Sequence, residues 1–280
     1  ELASRAHIRF SVPVIQQALA EAEIKTEQLD GIAVTYGPGL IGSLLTGLCV
    51  AKGLSLSLEI PFIGINHLEG HVFSNVLEEP AVLPPFVVLI VSGGHTQLVL
   101  VEEWGNYRIL GKTRDDAAGE AFDKVAKMLD LGYPGGPVIE KAAKKGNAEY
   151  IRFPRAFLKN GSFDFSFSGL KTAVMNHVYN IGEDAVKNRI NDIAVCFQEA
   201  VVEVLVEKTI QAAREYKVKK ICLAGGVAVN SRLRIKFQQK TESTPLKVLF
   251  PSPRLCTDNG AMIAAAGEFY LKQGSQSPHS

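Results

Sequence analysis

Charge of one sign is what this 280-residue chain lacks: 30 lysines and arginines face 29 aspartates and glutamates, a formal net charge of +1. So even a balance excludes capture of nucleic acid or anionic membrane by bulk electrostatics, and leaves such work to a local basic patch. Cysteine is scarce as well. Cys49, Cys196, Cys222 and Cys256 stand far apart, so they build neither a disulfide framework nor a paired zinc knuckle. They read as reduced, mostly buried thiols in a reducing compartment. The longest strongly apolar run is read as Phe86 to Val91, too short to span a bilayer. No signal peptide is visible, and the chain opens at Glu1 rather than methionine, which the reading takes as a trimmed start or the inside of a longer protein. What is present, 46% hydrophobic and 21% charged residues, excludes disorder, collagen-like repeats and a disulfide-dense miniprotein. The length suits one large domain or two packed lobes.

Hydrophobic periodicity predicts a helix over residues 3–23 with a kink at Pro13, whose apolar stripe makes residues 1–23 a partner surface. A short buried strand over 31–35 runs into the turn Tyr36-Gly-Pro-Gly39 and a helix to about Ser57. Another strand, 61–65, leads to a helix near His67. Strand, turn and helix alternating in this way point to a parallel α/β layer. Phe86 to Val91 is a fully buried strand, followed by a hairpin around Trp104-Gly105-Asn106. Helices are expected over 117–129, 137–145, from Leu170, and over 188–216. Strand 220–224, helix 230–240, strand 246–250 and a helix from Thr257 complete the chain. Two buried strands thus end in Gly-Gly turns, at Gly93-Gly94 and Gly225-Gly226. The expectation is two α/β lobes facing each other across a cleft.

Five clusters carry possible chemistry. His67 and His71, four apart on a helix, share a face and can offer two neutral nitrogens to one metal; the plain alternative is two partly exposed histidines at a helix start. Glu69 precedes Gly70, so the base position of a zinc protease is missing. Ser92-Gly93-Gly94-His95-Thr96 ends a strand with backbone free to approach phosphate, or is simply a tight turn. The run from Leu223 through Gly225, Gly226 and Asn230 suits a nucleotide on a helix N-terminus, or makes Asn230 an N-cap. Asp115 and Asp116 read as caps of the helix that follows, with Asp123 two turns on. In Tyr133-Pro-Gly-Gly-Pro137, the Pro-Gly-Gly-Pro turn exposes backbone groups that clasp a ribose or acyl group, or is a rigid connector. Last, Thr257 or Asp258 caps the final helix, or Asp258 joins the histidines. Two imidazoles and a carboxylate leave coordination positions open, suiting Fe(II), Zn or Mn.

Taken in order, His-Leu-Glu-Gly-His, Ser-Gly-Gly-His-Thr, Asp-Asp-Ala-Ala-Gly-Glu-Ala-Phe-Asp-Lys, Tyr-Pro-Gly-Gly-Pro, Phe-Ser-Phe-Ser-Gly-Leu-Lys-Thr, Ala-Gly-Gly-Val-Ala-x-Asn-Ser and Cys-Thr-Asp-Asn-Gly closely resemble the TsaD family of tRNA adenosine threonylcarbamoyltransferases, in its bacterial form. The resemblance runs over essentially the whole chain. It implies an α/β, actin-like (ASKHA) two-lobed fold with ribonuclease-H-like lobes and an interdomain cleft. Residues 1–84 plus 257–280 would form the first lobe and 85–256 the second. The family ordinarily begins with a strand and hairpin carrying an acidic, Thr/Ser-containing phosphate motif; this chain begins after it, so the first lobe is expected to lack those strands.

Carried over by motif, His67, His71 and Asp258 correspond to metal ligands. Ile90, Val91, Ser92, Gly93 and Gly94 correspond to the substrate loop, with Asp123, Gly136 and Asn230. Glu140 corresponds to a further substrate contact where an aspartate often stands. The resemblance implies one divalent metal per subunit, Fe(II) foremost with Zn, Mn or Mg as alternatives. It also implies an adenine nucleotide (threonylcarbamoyl-AMP, ATP or ADP), a tRNA acceptor, a TsaB-like paralogous subunit and a TsaE-like small ATPase. A separate synthase would supply the donor, in the cytoplasm, with no membrane partner. His95 and Asp123 are candidates for the catalytic base. The expected reaction is threonylcarbamoyl transfer to the exocyclic amine of the adenosine 3′ of the anticodon. The alternatives are an ATP-dependent kinase of the same superfamily, which has no need of the histidine pair, and a non-catalytic ATPase-like scaffold, which could lose it.

Overall fold

The computed structural model describes residues 2–157 and 161–278; Glu1, where the expected partner helix begins, lies outside them. In chain order the elements are α1 (Leu2–Glu21), β1 (Ile32–Gly37), α2 (Ile41–Leu58), β2 (Phe62–Asn66), α3 (His67–Glu78), β3 (Phe86–Val91), β4 (Thr96–Glu103) and β5 (Asn106–Lys112). Then come α4 (Ala118–Met128), α5 (Gly135–Ala143), α6 (Ser168–Ile181), α7 (Glu183–Glu215), β6 (Lys220–Ala224), α8 (Ser231–Thr241), β7 (Lys247–Leu249), α9 (Pro253–Cys256) and α10 (Gly260–Lys272). They divide into two compact units, Glu1–Leu77 with Asp258–Ser280, and Glu78–Thr257.

In the first unit β1 and β2 pair in parallel, Ile32 opposite Phe62 through Thr35 opposite Ile65. α2 and α10 both lie against β1, and α1 lies against α2. The core is small and sits under β2, α3 and α10: Phe62, Ile65, Val72, Phe73, Met262 and Ala266 are buried. β1 is only half-buried, which corrects the expectation of a buried strand there. α2 bears on the membrane expectation. By length and composition alone it is, among the described residues, the one helix long and apolar enough to cross a membrane, although Ser43, Thr46 and Lys52 interrupt its apolar residues. α2 lies against β1 and α1.

The second unit is built on a five-stranded sheet of order β5-β4-β3-β6-β7. β3 runs antiparallel to β4 and parallel to β6. Its six residues are all buried, so the sequence reads as an unbroken apolar run rather than an alternating one. The 33-residue α7 lies against β3 and β6 and buries Ile193, Phe197, Val201 and Leu205. Phe197 meets Phe122 of α4 edge-on at 5.2 Å between ring centres, a geometry that aromatic quadrupoles favour.

Candidate metal centre and substrate loops

β2 runs directly into α3, so the histidine pair opens the helix at the end of a buried strand. The Asn66 side-chain carbonyl accepts from the Leu68 N–H at 2.9 Å, occupying one of the donors a helix start leaves free. His71 belongs to a continuous buried run, Gly70 to Asn75. The two rings stand edge to face, 4.8 Å between centres. Both Nε2 atoms face one oxygen of Asp258, His67 at 3.5 Å and His71 at 3.2 Å. His71 is 2% exposed and the Asp258 side chain 77%, so the cluster is backed by packing and open on its carboxylate side. Hydrogen bonds from His67 and His71 outweigh the effect of burial and hold the Asp258 carboxyl well below its usual range.

The ligand atoms of the three residues lie within 4.8 Å of one another. A single ion with bonds of about 2.0–2.2 Å would draw such a set together with small side-chain movements. The donor set therefore fits a divalent ion with open positions. His71 Nδ1 is buried and makes no hydrogen bond to another protein group, and the ring sits in the buried run Gly70 to Asn75. Glu69 is engaged elsewhere, accepting from the Tyr270 hydroxyl, which agrees with the missing protease base. Neither Thr257 nor Asp258 caps the final helix, correcting that reading. Asn259 is the N-cap of α10, accepting from Met262 N–H at 2.9 Å, and this leaves the Asp258 carboxylate to the histidines.

In the second unit, the ends of β3 and β6 and the starts of α4, α5 and α8 surround a cavity of about 410 Å3. Gly93, Asp123, Gly136, Glu140, Gly226 and Asn230 line it together with Phe122, Tyr133, Val227 and Thr257. Five of the residues expected to meet substrate are thereby brought together. Ile90 and Val91 are not among the lining residues; their side chains are buried in β3. The Ser92 hydroxyl accepts from His95 N–H, and its carbonyl accepts from Gly119 N–H at the start of α4. Neither Gly94 nor His95 lines the cavity.

The glycine pairs divide their labour. Gly225 has φ +88°, and an added Cβ would lie 2.4 Å from the Val91 carbonyl oxygen, so only glycine lets β6 end against β3. Gly226 has open space where a Cβ would stand and lines the cavity. Gly135 and Gly136 repeat the pattern. A Cβ on Gly135 would meet the Asp123 backbone at 2.5 Å, while Gly136 is open. Asp123 accepts from Gly135 N–H at 2.7 Å and so anchors the start of α5. Asn230 is the N-cap of α8, accepting from Leu233 N–H, and its amide donates to Gln198 at 2.9 Å. Glu140 accepts from the Ser231 hydroxyl.

Asp115 and Asp116 are not caps of α4, whose N-cap is Ala117; Thr96 and Ser92 serve that helix, accepting from Ala118 and Gly119 N–H. Asp115 instead holds the start of α6, accepting from the Phe167 and Ser168 N–H groups and from the Ser166 and Ser168 hydroxyls. Burial works against its charge, but these four donors prevail and lower its carboxyl from the usual value. Asp116 pairs with Lys124 and Lys171. Burial raises the Cys256 thiol against the pull of Arg234, and Cys256 is not part of the His67, His71 and Asp258 group. Sequence reasoning missed Thr257, Val227 and Tyr133 as lining residues. The first two lie in recognised motifs, and the third heads the Tyr-Pro-Gly-Gly-Pro turn.

Residues 1–265 match the family model described as TsaD, tRNA N6-adenosine threonylcarbamoyltransferase. A curated protein of that name from Caldicellulosiruptor saccharolyticus is 49% identical over 280 residues, all of this chain and 83% of its own length. Another from Clostridium perfringens is 51% identical over the same shares. Among solved structures, T. kodakarensis HypF has a TM-score of 0.69 at 16% identity, over 94% of this chain and 43% of that one. Component A of Acidaminococcus fermentans (R)-2-hydroxyglutaryl-CoA dehydratase has a TM-score of 0.54 at 17% identity, over 93% and 83%. At such identities the likeness shows the fold alone, which is actin-like. With a family model matched along nearly its whole length and relatives half identical to it throughout, this chain belongs to the TsaD family.

Proposed function

We propose that this chain transfers a threonylcarbamoyl group to the N6 amine of an adenosine in tRNA. The observation that carries the reading is the His67/His71/Asp258 cluster in a chain of this family. The donor is threonylcarbamoyl-AMP and the acceptor is the adenosine just 3′ of the anticodon. The N6 nitrogen attacks the carbamoyl carbon, the bond from that carbon to the phosphate oxygen breaks, AMP leaves, and the amine gives up a proton.

The chain's own residues bind and orient these groups. The donor nucleotide lies in the 410 Å3 cavity. Gly93, Gly136 and Gly226 let it approach the backbone closely, since nothing occupies the place of their Cβ atoms. Asp123 spends one oxygen on Gly135 N–H and offers the other to a ribose hydroxyl or to the departing proton. Glu140, steadied by Ser231, adds an acceptor at the far side, and Phe122 and Val227 exclude water from the base. His67, His71 and Asp258 hold a divalent ion, Fe(II) in this reading, and such an ion supplies Lewis-acid polarisation of an oxygen.

A TsaB-like subunit and a TsaE-like ATPase complete the system, with α1 as the docking helix, and the reaction takes place in the cytoplasm. The test is mass spectrometry of tRNA after incubation with threonylcarbamoyl-AMP and partner subunits, alongside metal analysis. Wild type forms threonylcarbamoyladenosine and retains metal; His71→Ala and Asp258→Ala lose both. Undiminished transfer and metal content in these variants would sink the assignment.

A further inference from the structure

The turn between α4 and α5 holds an aromatic ring that the donor cavity does not cover. Tyr133 is 82% exposed. On one side it lines the cavity of Gly136 and Asn230. On the other it lines a second depression of about 400 Å3, with Asp123, Lys124, Lys127 and Asp130. Tyr133 and Asp123 are common to both. An adenylate enclosed by the glycine turns leaves most of such a ring in water, whereas a macromolecule arriving from solvent can cover it.

We propose that Tyr133 is the stacking platform for the unpaired purine of the acceptor RNA, and that the second depression takes the adjoining nucleotide. This rests on the transferase reading above. RNA bases splayed from single-stranded loops are held by stacking on aromatic side chains, with little regard for which base it is. In this arrangement the ring presents the base beside the donor cavity, where Asp123 also stands. Lys124 is already paired with Asp116 and Glu120, so Lys127, in the last turn of α4, supplies the phosphate contact. Asp130 and Asp123 offset the two lysines in charge. Stacking therefore carries more of the affinity than charge does, and binding at this site depends only weakly on salt.

The test uses the full chain with its partner subunits. The probes are a synthetic anticodon stem–loop RNA with an adenosine 3′ of the anticodon, and a non-hydrolysable threonylcarbamoyl-adenylate analogue. Tyr133→Ala raises the Kd of the stem–loop and the KM for tRNA by about tenfold or more. It raises the Kd of the adenylate analogue by a much smaller factor, since most of the ring lies outside the donor cavity. Tyr133→Phe and Tyr133→Trp restore RNA binding, because they keep a π-face. RNA affinity unchanged in Tyr133→Ala overturns the proposal, as does a loss confined to the adenylate analogue, which would give the ring to the donor. If wild type itself transfers nothing to tRNA, the transferase reading falls first and takes this proposal with it.

Discussion

The two units of the chain bury their elements in different ways. In the second, β3 is buried along its whole length and α7 presents buried residues from Val186 to Ala213. In the first, α1 has no buried residue and α2 has only Ala51 and Ser55. Ile8, Phe10, Val14, Ile41 and Leu45 are all more than half exposed. An apolar hollow of about 810 Å3 lies among α1, α2 and β1, lined by Phe10, Val14, Leu19, Ile32, Val50 and Leu54. The first unit thus leaves much apolar side-chain surface uncovered on α1 and α2. The histidine pair does not depend on that layer. Its helix, α3, has the longest unbroken buried run in the first unit and shares a core with β2 and α10. The placing of the metal ligands and the anchoring of α1 are thus separable.

Matched substitutions break or uphold this contrast. Phe197→Ala removes a side chain with no exposed surface, held against Phe122, and should lower the unfolding free energy by about 3–5 kcal/mol. Phe10→Ala removes the same ring from α1, where it is 51% exposed, and should change stability by no more than about 0.5 kcal/mol. Urea unfolding followed by circular dichroism measures both. Equal losses would mean that α1 is as firmly built in as α7.

The glycine pairs sharpen the contrast within the second unit. Gly225→Ala puts a Cβ against the Val91 carbonyl at a backbone conformation nearly reserved for glycine, and should cost roughly 3 kcal/mol. Gly226→Val meets no atom within contact of its first carbon and should fold normally, yet it fills the cavity and should raise the KM for the donor. Thermal melts and donor titrations separate the two. A Gly225→Ala protein as stable as wild type would remove the structural half of the argument.

What the sequence made legible was local. Phe86–Val91 could be read as a buried strand from its unbroken apolar run, and His67 and His71 as neighbours from helical spacing. The Trp104-Gly105-Asn106 turn placed the β4–β5 hairpin. What it hid depends on distant residues. Asp115 looks like a cap for the helix two residues on, but its donors lie at Ser166, Phe167 and Ser168, some fifty residues away. The choice of Asn259 over Thr257 or Asp258 as the α10 cap turns on where one short segment bends, since the chain makes α9 first. Tyr133 was quoted within a motif, but exposure is no property of a motif. Burial of β1 failed for a similar reason: an apolar strand reads the same whether or not both its faces are covered.

Asp115 gives a smaller effect than Phe197 or Gly225 and a test by pH. Its four donors all lie at the start of α6, so the carboxylate acts as a cap supplied from another part of the second unit. Asp115→Asn keeps the shape and loses the charge, and should cost about 1 kcal/mol at neutral pH, the usual worth of a helix cap. The carboxyl is lowered in the folded state, while in the unfolded chain it titrates near its ordinary value of about 3.9. Its stabilisation is therefore complete above that value and is lost as the pH falls through the lower, folded one. The gap between wild type and Asp115→Asn in urea midpoint should hold constant from about pH 6 upward and narrow below about pH 4. A gap as wide at pH 3 as at pH 7 would show that geometry alone, and not the charge facing the helix start, holds α6 in place.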